Sequence, residues 1–344
     1  MLFLHLMARK GILLVNLGTP DSPETADVRK YLNEILMDGR VIDINPVSRA
    51  LLVRGIIVPF RAPKSAKLYK AIWSKETGSP LLHYSILQHK ALVERLGDEY
   101  QVELAMRYQS PSIESALERL KKNLVSDIKV IPMFPQYASA STGSVHDKVM
   151  KLVSDWQTIP NVTFINSFHD DDLMIATFAQ NALKYQPETF DHILFSFHGL
   201  PQRQIMKCDH TGSYCLKVDG CCDTLNDTNK FCYSAQSYDT ARLIAEQLNL
   251  PKEKYTVCFQ SRLGNDPWVQ PYTSKVIEQL AKDGKKRLLV FCPAFVADCL
   301  ETVYEVTVEY GDEFKALGGE HVQLVESLND SPMFIDALER MARV

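Results

Sequence analysis

The first candidate for chemistry is His198, in the segment SFHGLP at residues 196–201. The segment closes an apolar run, and Gly199 and Pro201 then turn the chain, so the imidazole lies at the end of a predicted strand. Imidazole titrates near neutral pH and also binds metals, so His198 could abstract a proton or hold a metal ion. The alternative is a strand-end histidine that only bonds the neighbouring backbone.

A second candidate is the acidic segment FVADCLETVYE at residues 295–305. If a helix begins here, Glu301 and Glu305 share one face at spacing i,i+4, with Asp298 just before them. Clustered carboxyl groups can hold protons near neutral pH or pass cations along. The structural alternative is a capping box, in which Asp298 is the N-cap and Glu301 occupies the third helical position.

Two further segments follow predicted strands. FQSRLGNDPW at 259–268 ends in Trp268, whose flat indole could stack on a planar ligand or merely anchor the loop. FPQYASASTGS at 134–144 is rich in hydroxyl groups that could bind carboxylates or cap a helix. Tyr137 and Ser139 of this loop are expected to contact substrate, and Arg107, at the end of the preceding strand, could pair with a ligand carboxylate.

Short apolar runs alternate with helical patterns along the chain, which predicts an α/β fold with parallel sheets. The predicted strands are 11–19, 102–108, 128–135, 162–168, 192–198, 255–262, 287–295 and 322–328. Four precede residue 168 and four follow it. We therefore expect two similar Rossmann-like lobes, each a four-stranded parallel sheet flanked by helices, with the active site in the cleft between them.

The expected domains are residues 8–166 for the first lobe and 167–320 for the second lobe, with a cysteine-rich insertion at 207–233. Residues 321–344 are expected to form a C-terminal strand and a helix that packs back on the first lobe.

Composition excludes several classes of protein. Of 344 residues, 46% are hydrophobic and 23% charged, and the net charge is −4, which is ordinary for a globular protein and argues against a nucleic-acid partner. No apolar run reaches the roughly 18 residues that a membrane span needs. The apolar opening is too short for a signal peptide and its charges follow it, so we expect a cytoplasmic protein, with Met7 as an alternative start.

The segment PVSRALLVRGIIVPFRAPK at residues 46–64, the apolar segment below, is apolar with Arg49, Arg54 and Arg61 interleaved. Past Pro59 its sequence has little helical regularity. It could be a buried helix with snorkelling arginines. It could instead be an exposed lip for a flat apolar ligand that makes weak peripheral contact with a membrane surface at its inner face.

Five of the eight cysteines, Cys208, Cys215, Cys221, Cys222 and Cys232, lie within 25 residues at spacing C-x₆-C-x₅-CC-x₉-C. In a cytosolic enzyme such crowding indicates a metal site more often than disulfides. Four thiolates could hold a [2Fe–2S] cluster or a zinc ion, and a reduced, metal-free loop is the third possibility.

Together these segments resemble the ferrochelatases over nearly the whole chain. The matching segments are LLVNLGTPDS at 13–22, RY at 107–108, FPQYASASTGS at 134–144, SFHGLPQR at 196–203, FQSRLGNDPW at 259–268 and FVADCLETVYE at 295–305. The resemblance implies a two-lobed enzyme that inserts ferrous iron into protoporphyrin IX or coproporphyrin to form haem. His198 and Glu301 would then face each other across the macrocycle as catalytic and iron-binding groups, with Glu305 and Asp298 behind Glu301.

The resemblance also bears on the cysteines. Some ferrochelatases carry a [2Fe–2S] cluster, and certain bacterial members place its ligands in an internal insertion, which this segment resembles. Four of the five clustered cysteines would be ligands, with Cys221 against Cys222 left open. The Cys299 position holds a histidine in some members, so that histidine cannot be essential.

Two other functions remain possible at this point. A cobalt or nickel chelatase of tetrapyrrole pathways would be expected to use a pair of histidines, and only His198 occupies a convincing site. A porphyrin-binding protein without catalysis would need no acidic pair opposite His198. The sequence leaves the oligomeric state open.

Overall fold

A computed structural model describes residues 10–262, 264 and 266–344. The expected start of the first domain at residue 8, and Leu263 and Asn265 of the segment at 259–268, lie outside the described residues. The chain forms two compact units. The first comprises the described residues up to Phe134 with Ser139–Asn166 and Ile335–Val344, and the second comprises Pro135–Ala138 and Ser167–Phe334.

The first unit is built on a parallel sheet of four strands in the order β2-β1-β3-β4. Its strands are β1 (Lys10–Gly18), β2 (Tyr100–Tyr108), β3 (Asp127–Pro132) and β4 (Asn161–Phe164). The central strand β1 is buried along nearly all of its length. Helices cover both faces of such a strand, which explains why its sequence is continuously apolar rather than alternating.

The second unit repeats this plan with the order β6-β5-β7-β8, again all parallel. Its strands are β5 (His192–His198), β6 (Tyr255–Gln260), β7 (Arg287–Phe291) and β8 (His321–Leu324). The predicted α/β class with two four-stranded parallel sheets is therefore confirmed.

Helices flank both sheets, and local signals set several of their ends. Ser112 caps the fifth helix and Asp171 the seventh, each through side-chain bonds to backbone N–H groups. In chain order the helices are α1 (Thr25–Met37), α2 (Pro46–Leu52), α3 (Val58–Ile72), α4 (Pro80–Leu96), α5 (Ile113–Lys122), α6 (Ser144–Ser154), α7 (Asp172–Leu183), α8 (Gln202–Met206), α9 (Tyr233–Gln247), α10 (Thr273–Lys282), α11 (Gly311–Ala316) and α12 (Pro332–Arg343).

The strand and helix expected together at residues 321–344 belong to different units. Strand β8 pairs with β7 in the second sheet. Most of α12 belongs to the first unit, where Arg95 reaches Asp336 at 2.6 Å and Lys129 Nζ donates to the Met341 carbonyl at 3.2 Å.

The strand order defines where along the edge of each sheet a ligand can bind. In the order β6-β5-β7-β8, the strands β5 and β7 are neighbours at the centre of the sheet. The chain leaves β5 toward one edge, where β6 lies, and leaves β7 toward the other edge, where β8 lies. Ligands of open parallel sheets bind beyond the carboxyl ends of the strands at such a switch point. His198 ends β5, and the segment at 295–305 follows β7. Both predicted catalytic segments therefore flank the switch point of the second sheet.

The expected irregularity of the apolar segment past Pro59 is wrong. The segment is helical from α2 through a π-helical turn, Val53–Ile57, into α3. Pro59 is the second residue of α3 and Pro63 lies inside it, so neither proline ends the helix.

Candidate active site

His198 is held at the end of β5 in one defined orientation. Its Nδ1 lies 2.7 Å from the carbonyl oxygen of Gly199, and the hydroxyl of Tyr233 donates to the carbonyl of His198 at 2.8 Å. Because a carbonyl oxygen only accepts, Nδ1 must carry the proton in this contact. Nε2 then carries a lone pair, which can accept a proton or bind a metal ion.

Trp268 forms a wall beside His198. The two ring centroids are 6.4 Å apart, and Trp268 is only 8% exposed. The Val269 N–H donates to the Leu200 carbonyl at 2.9 Å, which joins the tryptophan loop to the loop after β5. A Cβ on Gly199 would lie 2.8 Å from the Gln260 carbonyl oxygen and 3.1 Å from the indole, and the first of these contacts requires glycine. Trp268 thus lies in its loop beside His198, a placement that fits both alternatives given for it by the sequence.

The acidic segment is not the α-helix that the spacing suggested. Leu300–Tyr310 forms a π-helix, whose N-cap is Cys299. The Cys299 N–H donates to Thr302 Oγ1 at 3.0 Å, so the capping box pairs Cys299 with Thr302 and not Asp298 with Glu301. The observed capping box is shifted by one residue from the expected one, so Glu301 does not take part in capping. The buried Cys299 thiol is its neighbour, and burial followed by the charge of Glu301 raises the pKa of that thiol.

Glu305 is fixed by hydrogen bonds along its whole carboxylate. Ser261 donates through Oγ at 2.7 Å and through its N–H at 3.2 Å, and the Tyr310 hydroxyl donates at 2.9 Å. Gln260 Nε2 donates at 3.3 Å. Ser261 adopts the left-handed region, with φ +64°, to present both of its donors. Burial and the charge of Glu305 raise the pKa of Tyr310, so its hydroxyl stays protonated.

Glu309 continues the line of acids and was missed by the sequence analysis. The signal was present, because ETVYEVTVE repeats glutamate every fourth residue from Glu301 through Glu305. Burial, and then the charge of Glu305, raises the pKa of Glu309. The π-helix therefore carries three glutamates that follow one another from the strand end.

Asp298 is buried and committed to the protein. It accepts bonds from Thr302 Oγ1 at 3.1 Å, from the Ser327 N–H at 3.2 Å and from Asn329 Nδ2 at 2.8 Å. These bonds tie the start of the π-helix to the loop after β8. The structure thus places Asp298 in a structural network rather than free for a substrate.

In the first unit Arg107 is engaged as well. Its guanidinium lies 2.6 Å from the carboxylate of Asp38, and its Nε donates to Ser144 Oγ at 2.6 Å. Burial alone would raise the pKa of Asp38. The hydrogen bond from Ser144, the backbone bond of Arg40 and the charge of Arg107 outweigh it and hold the pKa of Asp38 below its usual range. Sequence reasoning missed Asp38, because its spacing from Arg107 carries no local signal.

Tyr137 and Ser139 fall in different units. The Tyr137 N–H donates to Gln236 Oε1 at 2.7 Å in the second unit, and its side chain is half-buried. Ser139 accepts a bond from Arg40 at 3.0 Å in the first unit.

Four of the five clustered cysteines are neighbours. The sulfur atoms of Cys221 and Cys222 are 3.8 Å apart, and the Cys232 thiol contacts those of Cys215 and Cys222. Burial raises the pKa of Cys215 to about 11, although the hydrogen bond to Cys232 lowers it. Cys208 differs, because its thiol donates to the Gln204 carbonyl at 3.6 Å.

Residues 207–232 contain neither helix nor strand, and buried side chains shape this loop instead. Asp209 accepts from the backbone N–H groups of Tyr214 at 2.7 Å and Cys215 at 3.0 Å. Asn229 donates to the carbonyl of Cys221 at 2.8 Å. Within the described part of the chain, no group of three or more His, Cys, Asp or Glu side chains has the spacing that a metal ion requires.

The apolar segment exposes large hydrophobic side chains. Val47, Leu51, Ile56 and Phe60 are 57–73% exposed, whereas Val53 is buried. These exposures do not fit the first of the two alternatives, a buried helix. Arg54 and Arg61 are exposed, and Arg49 instead donates to the carbonyls of Ile42 at 3.1 Å and Ile44 at 3.3 Å. No helix among residues 10–262, 264 and 266–344 is long and apolar enough to cross a membrane.

The fold defines a class of protein. SirB from Bacillus subtilis, solved with Fe³⁺, superposes with a TM-score of 0.54 over 97% of this chain and 94% of its own, at 12% identity. The sirohydrochlorin chelatase SirB from Bacillus subtilis subspecies spizizenii, in complex with cobalt, gives a TM-score of 0.51 at 11% identity over the same shares. At these identities the likeness concerns the fold alone, and that fold is one that chelatases use.

The sequence then gives the family. The ferrochelatase profile matches residues 9–344. A ferrochelatase of Coxiella burnetii (strain Dugway 5J108-111) is 41% identical over 333 residues, which are 97% of this chain and 93% of the relative. One of Legionella pneumophila (strain Lens) is 42% identical over 96% of this chain and 98% of its own. The chain belongs to the ferrochelatase family and is a metal chelatase of haem biosynthesis, which confirms the predicted activity.

Proposed function

We propose that His198 and Glu301 are the groups of this ferrochelatase that act on the macrocycle, in the second unit. The observation that carries the proposal is that neither His198 Nε2 nor the Glu301 carboxylate caps a helix or pairs a strand. His198 has its Nδ1 bonded and its Nε2 available. Glu301 lies outside the capping box, which Cys299 and Thr302 form without it. His198 ends β5 and Glu301 follows β7, and these two strands flank the switch point, where ligands of such sheets bind.

The reaction exchanges two pyrrole protons for one Fe²⁺. His198 Nε2 would take one proton, since a neutral imidazole is a competent base near neutral pH. Glu301 would take the other proton or would bind the incoming Fe²⁺. Glu305 and Glu309 would relay protons or Fe²⁺ along the π-helix, and they would accept the second proton when Glu301 binds the iron. A planar porphyrin hides its nitrogen atoms, so we expect binding to bend the macrocycle, at a cost of a few kcal/mol offset by contacts elsewhere on it.

The substrate is protoporphyrin IX or coproporphyrin. Among the expected substrate contacts, Trp268 is the best supported, because its ring lies beside that of His198. Tyr137 and Ser139 remain candidates for the macrocycle or its carboxylates. Arg107 and Asp298 are better supported as residues that position their neighbours, since each is already bonded within its own unit.

The experiment compares Glu301→Gln with Glu305→Gln under anaerobic conditions. Glutamine keeps the shape but removes the ionisable oxygen, so Glu301→Gln should abolish turnover while porphyrin still binds. Glu305→Gln should reduce turnover less and mainly raise the KM for iron. If capping were the role of Glu301, glutamine would serve equally well, and the variant would be active. A fully active Glu301→Gln enzyme would therefore refute the assignment.

The cysteine-rich loop would hold a [2Fe–2S] cluster. The support is the chemistry of the donors, since four thiols are neighbours in a loop whose backbone is fixed by Asp209 and Asn229, and the thiols would have to draw together to bind the cluster. Cys215, Cys221, Cys222 and Cys232 would be the ligands, and Cys208 would not. Bound to such a cluster the thiols would be thiolates, whose charge the iron neutralises.

The apolar segment would make peripheral contact with the inner face of a membrane while the enzyme otherwise remains cytoplasmic. Exposed Leu51, Ile56 and Phe60 supply the apolar face, and exposed Arg54 and Arg61 lie beside it. An arginine near an anionic surface contributes about 1 kcal/mol. Porphyrins are poorly soluble, so such contact would shorten their path through water.

A further inference from the structure

A buried glutamine joins the two candidate catalytic segments. Gln260 is the last residue of β6 and is 2% exposed. It lies directly beside His198 in the register of the β5–β6 pair. An amide group is both a donor and an acceptor, so it can bond two different elements at once.

On the β5 side Gln260 bonds residues on either side of His198. Its Oε1 accepts from Ser196 Oγ at 2.6 Å. Its backbone carbonyl accepts from the Gly199 N–H at 2.8 Å. The strand end that carries the imidazole is therefore fixed to Gln260 at two points.

On the other side the same amide bonds the π-helix. Its Nε2 donates to the carbonyl oxygen of Glu301 at 3.2 Å and to Glu305 Oε2 at 3.3 Å. These two contacts use both of the amide's N–H groups. One side chain thus bonds the backbone of the first glutamate and the carboxylate of the second.

We propose that Gln260 is a positioning residue that couples the His198 strand to Glu301 and Glu305, an inference that rests on the roles proposed for those three residues. A buried amide is costly when its hydrogen bonds are unmade. A shift of the π-helix against β5 would leave the Gln260 amide unsatisfied. The amide therefore favours one position of the π-helix relative to β5. In that position the imidazole and the carboxylates would contact the same macrocycle.

The first test replaces Gln260 by methionine, which is similar in length and has no N–H to donate. Gln260→Met should lower kcat for iron insertion about tenfold or more and leave the KM for porphyrin nearly unchanged. Gln136→Met is the matched control. Gln136 is equally buried, at 2%, and donates to Thr240 Oγ1 at 3.0 Å and to the Pro293 carbonyl at 3.4 Å. The control should lose stability to a similar degree and keep a much larger share of kcat.

The second test uses the pH profile. Gln260→Glu places a second carboxyl group against Glu305, and like charges raise the pKa of one member of a pair. The acid limb of the kcat profile should move to higher pH. The double variant Gln260→Glu, Glu305→Gln again places an amide against a carboxylate. It should recover part of kcat and return the acid limb of the pH profile toward its original position.

The outcomes separate the two proposals. One outcome is that Gln260→Met keeps the same kcat as the Gln136→Met control while Glu305→Gln is impaired. That outcome would overturn the positioning role and leave the catalytic roles standing. Full activity of both Glu301→Gln and Glu305→Gln would overturn the catalytic roles and this inference with them. An unmoved acid limb in Gln260→Glu, with no recovery in the double variant, would also overturn the positioning role.

Discussion

At the scale of single residues, His198 can act through only one ring nitrogen. The Gly199 carbonyl, 2.7 Å away, occupies Nδ1. This contact fixes the tautomer in which Nε2 is basic, so in the proposed reaction the side chain would not have to reorganise before it accepts a proton. The sequence could predict the residue and its strand end, but the partner of Nδ1 is a backbone atom that every residue type supplies.

His198→Ala should keep the fold and lose chelation. The side chain is half-buried at the end of the sheet, so its removal leaves the core intact. Loss of a general base typically costs about 10²–10⁴-fold in rate. Steady-state turnover checks the rate, and circular dichroism with thermal unfolding checks the fold. The exposed His321 in the same unit provides the control, since His321→Ala should be fully active. Near wild-type turnover by His198→Ala would contradict the proposed role.

At the scale of elements, Asp38 joins three of them in the first unit. It follows α1 and accepts bonds from Arg107 and Tyr108 at the end of β2 and from Ser144 at the start of α6. Breaking a buried pair by removing one partner costs about 3 kcal/mol or more. This network therefore holds the carboxyl end of β2 against two helices.

Asp38→Asn should destabilise the protein in a pH-dependent way. The folded-state pKa of Asp38 is depressed. Its contribution is therefore fully present above the unfolded value of about 3.9 and is lost as pH falls through the folded value. We expect a deficit of about 3 kcal/mol in the free energy of unfolding at pH 7 that shrinks below about pH 4.

Denaturant unfolding at several pH values measures this deficit. Asp147→Asn is the control, because Asp147 is 30% exposed and its ion pairs with Arg40 and Lys151 lie at the surface. It should change stability by less than about 1 kcal/mol at any pH. A deficit of Asp38→Asn that persists unchanged in acid would contradict the ionic origin.

The cysteine-rich loop makes a second prediction at this scale. Purified protein should be red-brown and should contain about two iron ions and about two acid-labile sulfide ions per chain. Cys232→Ser should lose the colour and the sulfide, whereas Cys208→Ser should keep both, because the Cys208 thiol bonds a backbone carbonyl apart from the other four. Loss of the cluster should also lower the thermal midpoint. Zinc without sulfide in anaerobically prepared protein, or a colourless Cys208→Ser variant, would contradict the assignment.

The elements also show where sequence reasoning reaches its limit. Apolar runs predict the central strands because both faces of a strand such as β1 or β5 are buried, and the predicted bounds of β5 are the observed ones. Several predicted strands ran too far at their carboxyl ends, where apolar loops such as 292–295 continue the pattern. The π-helix was missed because glutamates spaced by four look alike in α- and π-helices. The strand order, which creates the switch point, depends on non-local pairing that no local pattern encodes.

At the scale of the whole molecule, the apolar segment predicts a weak affinity for membranes. Replacing Leu51 and Phe60 by serine should weaken liposome binding, since each apolar side chain transferred from water contributes about 1.5 kcal/mol, or about tenfold. Co-sedimentation with anionic vesicles measures it. Met150 and Ile159, 52% and 61% exposed elsewhere in the first unit, provide a control pair for the same replacement. Equal binding by both double variants would make the segment an ordinary surface.

The central claim is that this chain inserts iron through the His198 and Glu301 pair. The most direct measurement incubates purified protein anaerobically with Fe²⁺ and protoporphyrin IX, and in parallel with coproporphyrin, and follows the absorption spectrum. The account predicts that the haem spectrum of at least one porphyrin grows with the wild-type protein, and that Glu301→Gln yields a bound porphyrin that stays free of iron. Metallation by Glu301→Gln at the wild-type rate, or no metallation of either porphyrin by the folded wild-type protein, would contradict it.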